Sequence, residues 1–110
     1  MEPQHPLVRE VHPELAAELI ALLEEEGEHE LAVRSRDLRL VARCGCHDDF
    51  CQSFMTEPHP DGQPYGLGHR CVPLSPSTGM IVLDVLDGRI VYVEVLDRAP
   101  LRDARLHRPG

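Results

Sequence analysis

Two runs rich in β-branched residues, Met80 to Leu86 and Arg89 to Leu96, flank the dipeptide Asp87-Gly88. Asp-Gly is a preferred pair for a two-residue hairpin turn, because both central residues must adopt positive φ. The chain is therefore committed to an antiparallel strand pair, which excludes all-helical and all-parallel folds. Simple pairing outward from the turn sets Val85 opposite Ile90, Leu83 opposite Tyr92 and Val82 opposite Val93. Both faces of that hairpin come out largely apolar, which predicts cover on both sides, by a helix and by further strands or a second copy.

The helix to pack on it is legible near the N-terminus. From Pro13 to Glu26, residues Leu15, Ala16, Leu19, Ile20, Leu22 and Leu23 fall on one face at 100° per residue, with Glu14, Glu18 and Glu25 opposite. Pro13 suits a first helical position and Gly27 the residue just past the end. Glu24, Glu25 and Glu26 crowd the negative end of the helix dipole, which a local account does not explain. A shorter helical turn is expected from Glu28 to Val33.

From Leu38 the period changes to two, with Leu38, Leu40 and Ala42 on one side and Arg39, Val41 and Arg43 on the other, as in a half-buried strand. Further strands are expected from Phe50 to Met55 and around Arg70 to Leu74. Between them, Thr56 to Gly68 holds three Pro and three Gly without periodicity and reads as a long loop. The expected fold class is α+β: an N-terminal amphipathic helix on an antiparallel sheet of four or five strands, ending in the hairpin. At 110 residues the chain forms one domain, 1–110, with 1–12 and 104–110 expected to be flexible.

The net charge of -8 arises entirely in the first thirty residues, where nine acids meet Arg9 alone. Nucleic acid is an unfavourable partner, since phosphate binding needs clustered positive charge and the basic run near the C-terminus, Arg98, Arg102, Arg105 and Arg108, is short. A basic protein docked on Glu14, Glu18 and Glu25 and a merely solvated helix face are the two readings of the acidic segment. No stretch approaches the apolar length of a membrane span and the first residues lack a secretory pattern, so a cytoplasmic location without membrane is expected. All eleven basic residues are Arg, a bias typical of high-GC bacterial genomes. No lysine is available for Schiff-base chemistry or a phosphate-binding loop.

The densest chemistry is Cys44-Gly45-Cys46-His47-Asp48-Asp49-Phe50-Cys51, with His69 and Cys71 some twenty residues on. Tetrahedral zinc takes four sulfur or nitrogen donors, so Cys44, Cys46, Cys51 and Cys71, with His47 or His69 as alternates, form a candidate metal set. If the first two strands make a hairpin, Cys46 faces Cys51 and Cys44 faces Ser53, with Gly45 permitting the bend that close approach of the sulfurs needs. A reversible Cys46–Cys51 disulfide and reduced core cysteines are the alternatives. His47, Asp48 and Asp49 also suit a polar hairpin tip.

For catalysis, Cys51, His69 and Asp84 can be assembled into a Cys…His…Asp set, but a chain with four Cys and seven His allows many. No catalytic residue is assigned on this basis. Asp84, among Val82, Val85 and Val91, is the acid expected to be partly buried, with an Arg as its expected partner.

The Cys44–Cys51 motif, the segment Tyr65-Gly66-Leu67-Gly68-His69 and the Asp-Gly hairpin together resemble small uncharacterised proteins of high-GC actinobacteria over residues 44–97. The resemblance implies no activity, cofactor or catalytic residue. The leading functional expectation is a small non-enzymatic binding protein, dimeric, with a structural zinc or a thiol cluster. An acidic inhibitor or immunity-type protein that masks a basic partner, and a thiol redox protein using Cys46 and Cys51, are the alternatives.

Overall fold

A computed structural model describes residues 5–43, 51–58, 66–99, 101 and 104–106. Three helices, α1 (Val8–Val11), α2 (Pro13–Glu25) and α3 (His29–Ser35), precede five strands, β1 (Ala42–Arg43), β2 (Phe54–Met55), β3 (His69–Leu74), β4 (Met80–Leu86) and β5 (Arg89–Leu96). A short 3-10 helix follows at Ala104–Leu106. The strands form one antiparallel sheet in the order β1-β2-β5-β4-β3. The α+β class and the sheet of up to five strands are as the sequence implies.

The α2 helix ends where its sequence dictates. Gly27 adopts φ +76°, so the Glu28 amide donates to the Leu23 carbonyl at 2.9 Å and the Gly27 amide to that of Glu24 at 3.1 Å. These two bonds close a Schellman motif and satisfy the last carbonyls. Of the glutamates crowded at this end, Glu24 pairs with His29, and about one and a half turns earlier Glu18 accepts a 2.6 Å bond from Arg98. The Glu18 carboxylate therefore does not belong to a merely solvated face.

Residues 8–11, placed among the flexible ends by the sequence, form α1 and bury Val8 and Val11 to 1% exposure. The helix is pinned by the Val8 amide bonding the Leu38 carbonyl, the Leu40 amide bonding that of Pro6, and a bridge between Leu7 and Arg39. The segment from Leu38 thus spends its first backbone bonds on the N-terminal arm, and only Ala42–Arg43 enters the sheet. Its expected strand is correspondingly cut to two residues. The pairs Ala42↔Met55 and Arg43↔Phe54 have the register the sequence predicts, while Cys44, Cys46 and His47 lie outside the described residues.

In the terminal hairpin, Asp87 and Gly88 take φ +51° and +80° as required, and Val85 pairs with Ile90. Beyond that pair the simple register fails. A bulge between Asp84 and Val85 skips Val91, so Leu83 faces Val93 rather than Tyr92, and Val82 faces Glu94 rather than Val93. The corrected register segregates the faces. Ile81, Leu83, Val85, Ile90, Val93 and Val95 join the helices' Leu15, Leu19 and Leu23 in one core, whereas Val82, Asp84, Leu86, Tyr92, Glu94 and Leu96 are only half-buried. Full burial of the hairpin on both faces is therefore not observed.

Candidate metal site on the outer sheet face

The face away from the helices carries the titratable groups. On β3, His69 and Cys71 are two residues apart and share this face, while Val72 and Leu74 point into the core. Antiparallel pairing sets Cys71 opposite Asp84 on β4 and His69 opposite Leu86. Asp84 is thus the direct neighbour of Cys71 and the diagonal neighbour of His69. Its Oδ1 accepts a 2.8 Å bond from His69 Nε2 and a 3.3 Å bond from the Cys71 thiol. An ionised carboxylate only accepts, so in this contact the ring donates from Nε2, a proton that a metal at the same nitrogen would displace.

The imidazole and carboxylate side chains are 28% and 23% exposed, and Cys71 is exposed. The hydrogen bond to Asp84 pushes the Cys71 thiol above its ordinary range, with the negative charges of Asp84 and Glu94 acting the same way. A thiol held protonated by an adjacent carboxylate is poorly suited to unassisted nucleophilic or redox work, which needs thiolate, and it would have to release its proton to ligate a metal. Across β5 the row continues to Tyr92, opposite Asp84, whose phenol is raised by burial against a counteracting bond with Ser53.

The three donor atoms of His69, Cys71 and Asp84 lie within 4.8 Å of one another. Bonds of about 2.0 Å to nitrogen and oxygen and about 2.3 Å to sulfur, meeting at tetrahedral angles, place donors about 3.3 to 3.5 Å apart. The 2.8 and 3.3 Å contacts are close to that geometry. Modest side-chain rotation would open the set around an ion. Among the described residues this is the one such group of His, Cys, Asp or Glu side chains, and Cys51 is not in it. Cys51 is half-buried, bridges to Leu96 and donates to the Ser53 hydroxyl at 3.4 Å.

Of the predicted ligands, the structure therefore brings together His69 and Cys71, sets Cys51 apart from them, and leaves Cys44, Cys46 and His47 outside the described residues. The assembled Cys, His and Asp set is also altered: His69 and Asp84 meet, but the thiol beside them is Cys71. The partner of Asp84 is this histidine rather than an arginine. The signal for Asp84 was present in the pairing of β3 with β4, which sets 71 against 84, but the chain gives no turn motif that fixes that register.

No family model, curated protein or solved structure matches the chain. Among the described residues, no helix is long and apolar enough to cross a membrane.

Proposed function

We propose that the protein is a small metal-binding protein that takes a divalent transition metal, zinc foremost, on His69, Cys71 and Asp84. The observation that carries the reading is the mutual approach of an imidazole nitrogen, a thiol sulfur and a carboxylate oxygen on a rigid pair of strands. This mixed donor set matches a borderline-soft cation; calcium and magnesium demand oxygen ligands and would not use the thiol. Three protein ligands on an exposed face leave a coordination position for water or a partner's side chain, as in open rather than closed zinc sites.

The test uses protein purified without a metal-affinity tag, titrated with zinc by calorimetry and with cobalt by visible absorption. Stoichiometric binding with a thiolate-to-cobalt band is expected, weakened by about tenfold or more in Cys71→Ser and Asp84→Asn. Absence of binding at micromolar metal would overturn the reading. So would a site that survives Cys71→Ser and is lost in Cys46→Ser, which would move the metal to the thiols of residues 44–51.

A further inference from the structure

A second feature lies apart from the His69, Cys71 and Asp84 donors: a cleft of about 470 Å³ between the C-terminal end of α3, the segment after it, and the facing ends of β2 and β5. Its volume is in the range of small-molecule sites, about 300 to 1,000 Å³. The buried Leu38 and Ile90, together with Val41, give it an apolar floor. The Thr56 hydroxyl on that floor donates to the Ile90 carbonyl at 2.6 Å and is spoken for.

Three guanidinium groups from three separate parts of the chain line the same cleft: Arg34 of α3, Arg39 beside the N-terminal arm, and Arg89 of β5. Two acids also line it, and each already has a cation. Asp37 pairs with Arg9 at 3.5 Å, and both Glu57 oxygens accept from Arg89 Nε. Arg39 spends one nitrogen on the His5 carbonyl. The Arg34 guanidinium has no hydrogen-bond or ion-pair partner among the described residues. In a chain of net charge -8, the lining carries three arginines against two acids, and with Arg89 spent on Glu57 and Asp37 paired with Arg9, Arg34 and Arg39 are the cations left to meet an anion.

From this arrangement we infer that the cleft binds a small organic oxyanion, a carboxylate or a phosphate monoester borne on an apolar body. Arginine presents a planar fork of N–H donors that matches either headgroup in a bidentate manner. The floor of Leu38, Val41 and Ile90 takes up the apolar part, which a bare inorganic ion does not possess. The headgroup sits at Arg34 and Arg39, and Arg89 remains tied to Glu57.

The experiment is an amide chemical-shift titration of the full chain with three probes: phenyl phosphate, hexanoate and inorganic phosphate. Saturable shifts at Leu38, Val41, Thr56 and Ile90 are expected with at least one organic probe, and the tighter of the two identifies the headgroup. Inorganic phosphate should bind about tenfold more weakly than the better organic probe, because it cannot use the floor. Arg34→Gln and Arg39→Gln should each weaken that probe about fivefold or more. Arg36→Gln, a cation of the same region outside the lining, should leave it unchanged. Arg34 has no side-chain partner to lose, so its variant retains the wild-type spectrum elsewhere. Shifts that do not saturate by about 10 mM, where binding is weaker than a specific site provides, would overturn the inference. Equal binding by wild type and both arginine variants would overturn it as well.

Discussion

Gly79 and Gly88 bracket β4, and both have positive φ, +70° and +80°. Replacing each by alanine separates two costs that are usually entangled. A Cβ at Gly88 would meet nothing within 4 Å, so Gly88→Ala tests backbone conformation alone. The left-handed region costs an L-residue about 1 to 2 kcal/mol, and the stiffer unfolded chain returns about 0.4 to 1 kcal/mol, for a net loss of about 1 kcal/mol. At Gly79 the same Cβ would lie 2.6 Å from the carbonyl oxygens of both Leu96 and Asp97 and would collide with Cγ of Arg98. The arginine stem can swing aside, but two backbone carbonyls cannot. The end of β5 would have to retreat from the start of β4 at the pair Met80↔Leu96. Overpacking of this kind adds about 1 to 3 kcal/mol, giving about 2 to 4 kcal/mol for Gly79→Ala. In a domain of this size that is a fall in Tm of about 10 to 20 °C, against about 5 °C for Gly88→Ala. Urea unfolding followed by circular dichroism, with slopes compared between variants, measures both losses on one scale. A Gly79→Ala loss no larger than that of Gly88→Ala would refute the steric reasoning.

Leu19 is 1% exposed in the centre of the α2 face, so Leu19→Ala should cost about 2 to 5 kcal/mol by the same urea assay; a loss below about 1 kcal/mol would show that α2 is not anchored there. Glu28 and Arg70 form a bidentate ion pair at 2.9 and 3.0 Å, and the arginine holds the Glu28 carboxyl below its ordinary value of 4.5. With the folded value depressed, the pair's stabilisation is present above 4.5 and is lost as pH falls through the folded value. The arginine is half exposed, so Glu28→Gln should cost only about 0.2 to 1 kcal/mol near neutral pH and nothing in acid; a difference that persists below about pH 3 would refute the linkage.

What the sequence disclosed follows from the range over which each signal acts. The Asp87-Gly88 turn and the apolar stripe of α2 are local, and both elements stand where their residues imply. The bulge that skips Val91 is silent in the sequence. With apolar residues dense on both strands, either register looks acceptable, and only packing against the helices selects the one that buries Val93 and Val95. The α1 helix has four residues, about one turn, too few to establish a period. Its burial depends on backbone bonds to residues 38–40, some thirty positions away. The metal donors show the same divide. His69 and Cys71 were candidates from their chemistry, but Asp84 joins them only once β3 is laid against β4, after a connection with no diagnostic turn.

The strand order has a consequence for biosynthesis. β5, the strand on which β2 and β4 both lean, is the last of the five to leave the ribosome. A nascent chain stopped after Leu86 holds the helices and can pair β3 with β4, but β2 has no partner on its Phe54–Val93 side until residue 93 emerges. Through most of translation Phe54, which ends up fully buried, is therefore without the strand that covers it. Chains interrupted by a late frameshift or stop would present that unpaired edge, a natural substrate for quality-control proteases and chaperones.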